Sequence, residues 1–229
     1  MKKNFWIFFF IIILLGCESK PKNINDQIPQ NKPIDLVAIP EGVKYDIINS
    51  DVMPGIKRTL NIRLNQKVSK EVLTTIAMKL KDMDKNIYAR TFILYYLPNM
   101  QVGKGAWATT HFDPDLKVNI QGIAIEDEMK MTENSEMPSR KVIGSWLDES
   151  PGSPSKIIIY FENEKYYMQN IYPDGSSGVQ QIVKKPSSQG QRFERIKYSR
   201  AGDYYLIDSK GNLQIRDNEG LIATAFKAD

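Results

Sequence analysis

The chain has 229 residues, enough for one large domain or two small ones. Apolar residues make up 41% and charged residues 25%, proportions that exclude wholesale disorder and a collagen-like chain. The formal charge is +4 and the mean hydropathy −0.39, which excludes a polytopic membrane protein; the one long apolar run lies at the N-terminus.

That run explains part of the charge. Lys2 and Lys3 precede eleven consecutive apolar residues, Phe5 to Leu15, too few to span a bilayer as a mature helix, which needs about 20. Residues 1–16 therefore read as a signal peptide. Its removal leaves 29 basic against 27 acidic residues, a charge of +2. No cluster of Lys or Arg is long enough to follow a phosphate backbone, so nucleic acid is not an expected partner. The apolar run ends in Leu14-Leu15-Gly16-Cys17. These residues resemble the lipobox of bacterial lipoproteins, with Leu at −2 where a smaller residue is more usual. The resemblance implies diacylglycerol on the Cys17 thiol, a palmitate-type acyl anchor, and cleavage that leaves Cys17 first. It also implies a bacterial cell-envelope location. Glu18 follows in place of the aspartate that favours inner-membrane retention, so in a Gram-negative cell the outer membrane, facing the periplasm, is expected. Cys17 is the single cysteine, which precludes an intramolecular disulfide and a cysteine-cluster zinc site.

Lys, Asn, Gln and Pro dominate from Glu18 to Pro40, with Pro21, Pro29, Pro33 and Pro40 and no apolar period. Residues 17–42 thus read as the lipidated cysteine and a tether, with a reach of roughly 27 Å as flexible chain.

A first unit is expected over residues 43–125. Lys44–Val52 and Ile56–Leu64 pattern as strands around a Pro54-Gly55 turn. Ser69 is placed to cap a helix, with Glu71 in its first turn. Val68, Val72, Leu73, Ile76, Ala77 and Leu80 form one stripe on a 3.6-residue period that fades near Asp84. Strands are expected at Arg90–Leu97, Ala106–Phe112 and Leu116–Ile125. The order β-β-α-β-β-β suggests a small antiparallel sheet covered by one helix. Residues 126–141 are acidic and Met-rich without a period, and read as a linker.

Residues 142–229 pattern as all β. Eight strands are expected, at 142–147, 156–162, 165–172, 178–185, 191–197, 203–208, 211–217 and 220–226. Asn163-Glu164, Pro173-Asp174-Gly175-Ser176, Ser209-Lys210-Gly211 and Asn218-Glu219-Gly220 supply hairpin turns. Short strands joined this way suggest an up-and-down meander that closes, or nearly closes, into a barrel. The fold class is α+β, mostly β. Ile157–Phe161 and Tyr204–Ile207 are apolar on both faces and need cover outside the barrel, from the first unit or from a protein partner.

Gly103-Lys104-Gly105-Ala106-Trp107-Ala108 matches a dinucleotide fingerprint in letters only, because a strand-like stretch follows where a helix must hold pyrophosphate. Gly175-Ser176-Ser177-Gly178 is a hairpin turn with no histidine–acid pair to serve it. His111, the only histidine, sits beside Asp113 and Asp115. An imidazole near carboxylates can act as acid–base group or ligand, yet Pro114 breaks the alternation, and a strand end with an Asp-Pro-Asp turn is the simpler reading. Trp107, His111, Asp113 and Asp115 form the candidate functional patch; no catalytic set, metal site or cofactor is expected. The second unit holds eleven aromatic residues, among them Trp146, Tyr160, Phe193, Tyr198 and Tyr205, which fill the barrel or line an apolar pocket within it.

Tyr95-Tyr96-Leu97-Pro98 with Gly105-Ala106-Trp107-Ala108-Thr109-Thr110-His111-Phe112 resembles a segment of uncharacterised bacterial proteins, often lipoproteins, over residues 44–122. That resemblance supports the domain boundary and brings no activity. The expected protein is a monomeric, lipid-anchored, non-enzymatic binding or interaction module of the envelope, whose partner is the membrane and another envelope protein. The alternatives are a carrier of small apolar ligands in the barrel and a hydrolase using His111 with Asp113 or Asp115.

Overall fold

A computed structural model describes residues 36–133, 140–196 and 202–228. Cys17, the tether up to residue 35, and Tyr198 lie outside them. Residues 35–229 form one compact unit. It is mostly β, with two helices, a five-stranded mixed sheet and a closed eight-stranded antiparallel barrel.

The sheet is built from β1 (Tyr45–Met53), β2 (Gly55–Leu64), β3 (Tyr88–Tyr96), β4 (Ala108–Phe112) and β5 (Leu116–Ile120), in that spatial order. Gly55 takes φ +69°, the left-handed conformation that the β1–β2 turn requires. Helix α1 (Lys70–Asp82) joins β2 to β3. The Ser69 hydroxyl accepts the Val72 amide at 3.4 Å as its N-cap, and Lys79 and Lys81 lie in the last turn, near the carbonyl end of the helix dipole. A strand–helix–strand crossover returns the chain in the same direction, so β2 and β3 pair parallel. The expectation of a wholly antiparallel sheet is corrected on that point: the sheet is mixed. One face is closed by the apolar stripe of α1. Val72, Leu73, Ile76, Ala77 and Leu80 pack against Leu60, Ile62 and Leu64 of β2, Ile93 and Tyr95 of β3, and Ala108 and Phe112 of β4.

The strand expected to run to Ile125 stops at Ile120. The amides of Gln121 and Gly122 both donate to the Trp107 carbonyl, at 2.8 and 3.0 Å, which turns the chain away from the sheet. Helix α2 (Ile125–Glu133) follows and takes up residues 126–133 of the 126–141 stretch read as a linker, which is corrected to that extent.

The barrel consists of β6 (Lys141–Asp148), β7 (Ser155–Glu162), β8 (Lys165–Ile171), β9 (Ser177–Lys185), β10 (Gln191–Arg195), β11 (Tyr204–Ile207), β12 (Leu213–Arg216) and β13 (Leu221–Lys227). Each strand pairs antiparallel with its neighbours in sequence, and β13 returns to β6 through Phe226↔Leu147 and Lys227↔Trp146. Closure removes both sheet edges. Asn163 and Glu164 occupy positive φ (48° and 61°) in the two-residue β7–β8 turn, the geometry that follows the strand twist. Trp146, Ile157, Ile159, Met168, Ile182, Phe193, Tyr205, Leu213 and Ala225 form the interior core. Trp146 Nε1 donates to the Gly211 carbonyl at 2.7 Å, tying β6 to the β11–β12 turn. Gly144 makes room for that ring, since a Cβ there would run into the indole.

The outer wall is covered along β7, one of the two strands expected to need cover; among the described residues no cluster covers the outer face of β11. Ile158 and Tyr160 of β7 and Ile171 of β8 pack with Met131 of α2 and with Ile123. The cover therefore comes from the chain between the sheet and the barrel.

Candidate ligand cleft between sheet and barrel

Three charged residues meet where the sheet, α2 and the barrel converge. Lys67 lies in the β2–α1 connection, Glu128 on α2, and Glu149 directly after β6. The Lys67 ammonium contacts Glu128 Oε2 at 2.6 Å and also pairs with Glu149 Oε1. The Lys67 and Glu149 side chains are only 15% and 12% exposed, so the pair is largely desolvated. The other Glu149 oxygen accepts the Ile123 amide at 2.7 Å. The Ile123 carbonyl in turn accepts Trp107 Nε1 at 3.1 Å. Gly122 permits this closure, because a Cβ there would lie 2.5 Å from Glu149 Oε2 and 2.6 Å from the Trp107 ring. Burial pushes the Glu149 carboxyl above the ordinary carboxylate range, against the opposing pull of the Lys67 charge and the Ile123 amide. Nearby, the Lys156 ammonium donates to Thr132 Oγ1 at 3.2 Å, and desolvation holds it below the usual lysine range.

A cleft of about 250 Å³ opens beside this cluster. Leu97, Pro98 and Met100 line it from the loop after β3, and Leu147 and Phe226 from the barrel; Lys67, Glu128 and Glu149 supply its charge. Arg63 shapes the loop wall. Its Nη1 donates to the Leu97 and Met100 carbonyls at 2.5 and 2.6 Å, while its guanidinium sits 5.8 Å from the Tyr96 ring centroid. Apolar walls around a few half-buried charges suit a small amphiphilic ligand, whose polar end replaces part of the charge network.

The residues singled out from sequence do not gather in one place. Trp107 is fully buried in the helix-side core. His111 lies on the opposite face of the sheet, stacked on Phe92 with ring centroids 4.1 Å apart. His111 Nε2 is 3.7 Å from Asp113 Oδ2, too far for a hydrogen bond. Asp115 meets Asp113 through the backbone, where the Asp113 amide donates to the Asp115 carbonyl at 3.3 Å. Among the described residues no group of three His, Cys, Asp or Glu side chains is placed to hold a metal ion.

Sequence reasoning missed Lys67, Glu128 and Glu149. They are 61 and 21 residues apart and fall in a loop, a weakly patterned helix and a strand end, so no local spacing links them. Comparison with protein-family models, curated proteins and solved structures finds nothing similar to the chain.

Proposed function

We propose that the protein is a lipid-anchored binding module of the bacterial envelope, which holds a small amphiphilic ligand or a partner's side chain in the cleft between sheet and barrel. The observation that carries the anchored part is the placement of the chain's one cysteine, directly after Leu14-Leu15-Gly16 and an eleven-residue apolar run. The binding part is supported by the cleft, where half-buried Lys67 and Glu149 lie between apolar walls. The barrel interior offers less support as a carrier site, since Trp146, Met168 and Phe193 are packed inside it at 0–2% exposure. In this reading the protein works as a monomer, with the membrane as one partner and an envelope component as the other.

Metabolic labelling with a fatty acid tests the anchor. The wild-type chain should incorporate label and Cys17→Ser should not; exported wild-type protein without label contradicts the proposal. Two acyl chains on a diacylglycerol suffice for stable attachment, whereas one chain gives only marginal binding. Native mass spectrometry of protein released from the envelope tests the cleft. A small adduct should accompany the wild type and be lost in Lys67→Met, and a bare mass for both counts against the cleft as a ligand seat.

A further inference from the structure

One end of the five-stranded sheet exposes large apolar side chains. Val52 and Met53 close β1, Ile56 is the second residue of β2, Met83 caps α1, and Ile87 stands just before β3. All five are exposed, Met83 at 64% and Ile87 at 88%. The pairing brings them together. Met53 faces Lys57 in the hairpin, and Gly55 faces Tyr88 across the parallel pair. Arg58 draws in the end of α1, with Nη1 donating to the Leu80 carbonyl at 2.9 Å and Nε 3.5 Å from Asp84 Oδ2.

This end also projects. The β3–β4 pairing begins only at Thr91↔Phe112, so the hairpin and the start of β3 extend three residues, about 10 Å, past β4. Cations flank the tip: Lys57 lies opposite Arg90, and Lys85 precedes Ile87 by two residues. Among the described residues none of the three is in an ion pair. Of the nearby acids, Asp84 is engaged by Arg58, Tyr88 and Asn86, while Asp113 and Asp115 sit on the β4–β5 turn, with Asp113 one register step beyond the Thr91↔Phe112 pair, level with Arg90. Asp51 and Asp82 are the remaining counter-charges.

We propose that this tip docks the folded unit onto an anionic lipid bilayer. The exposed apolar side chains enter the boundary between headgroups and acyl chains, and Lys57, Lys85 and Arg90 meet lipid phosphates. Chain length is consistent with that occupant. The described chain begins alongside α1, where the Val37 carbonyl accepts the Thr75 hydroxyl at 2.9 Å, about 10 Å along the helix from its C-terminal end. Eighteen residues separate Leu36 from Cys17, a contour of at most about 65 Å. An acylated Cys17 and the tip can therefore reach the same membrane. That shared orientation rests on the anchored reading; the docking surface does not.

The test uses residues 35–229, the compact unit that contains both cores and lacks Cys17, so acylation has no part in the outcome. The protein is sedimented with vesicles of phosphatidylcholine alone or of equimolar phosphatidylcholine and phosphatidylglycerol. It should pellet with the anionic vesicles and be released by salt. The double variants Met53→Ser/Ile87→Ser and Lys85→Gln/Arg90→Gln should each bind at least about tenfold more weakly, with unchanged melting temperatures because all four positions are exposed. A second readout places an environment-sensitive dye on Ile87→Cys, the only thiol in this unit, and expects a blue shift on anionic vesicles alone. The proposal is overturned if the wild type stays in the supernatant with both vesicles, if the serine variant binds as well as the wild type, or if the dye does not respond. It is equally overturned if the wild type dimerises without lipid and the serine variant is monomeric, since the tip is then an interface between copies.

Discussion

Glu149 concentrates the chemistry of the junction in one side chain. It is buried, it faces Lys67, it accepts the Ile123 amide, and burial outweighs both in setting its proton affinity. A carboxyl whose folded affinity is raised holds its proton more tightly in the folded than in the unfolded chain. Its favourable contribution is complete below the ordinary carboxylate range and is lost as pH rises through the raised folded value. Wild-type stability should therefore decline relative to Glu149→Gln as pH is raised from mildly acid toward neutral. Urea unfolding of both proteins across that interval reads the difference; a flat difference would show that Glu149 titrates as it does in the unfolded chain. Asp84 acts with the opposite sign. The Asn86 amide and the Tyr88 hydroxyl lower its affinity, so its contribution is present above the ordinary range and fades as pH falls.

At the scale of elements, much of the architecture was legible. Ser69 and the stripe from Val72 to Leu80 place α1, because a cap and a 3.6-residue period are both local signals. Asn163-Glu164, Asp174-Gly175 and Glu219-Gly220 delimit the barrel strands, since hairpin turns demand residues that tolerate positive φ. The parallel β2–β3 pair was less visible, as it depends on how the α1 crossover docks and not on either strand's pattern. Helix α2 was hidden for another reason. It is nine residues long and buries a single side chain, Met131, so its sequence offers one core position in place of a stripe; its stability comes from the barrel wall it covers. The cleft was illegible for the same kind of reason, because Lys67, Glu128 and Glu149 meet only through tertiary packing.

Met131 holds α2 on the barrel wall. Its side chain is 1% exposed and packs with Ile158, Tyr160 and Ile171. Met131→Ala should destabilise the protein by about 2–4 kcal/mol, the usual cost of truncating a buried methionine. Thermal and urea unfolding will show it. A cost below about 0.5 kcal/mol would mean that α2 rests on the wall without holding it.

In the whole molecule, sheet and barrel form a single unit, joined by the covered barrel wall and by the Lys67–Glu149 pair. Gly105 adds to the junction, since its backbone lies so close to Pro151 that a Cβ would sit 2.5 Å from the proline ring. The cleft exists only if these contacts persist in solution. Two independent modules would open it and would expose Ile158, Tyr160 and Ile171 to water, an apolar patch that promotes association. Size-exclusion chromatography of residues 142–229 beside residues 35–229 tests this most directly. The longer chain should elute as a monomer, and the isolated barrel should fold as an all-β protein but self-associate. A monodisperse, highly soluble 142–229 fragment would show that sheet and barrel are separate modules and leave the cleft without a second wall.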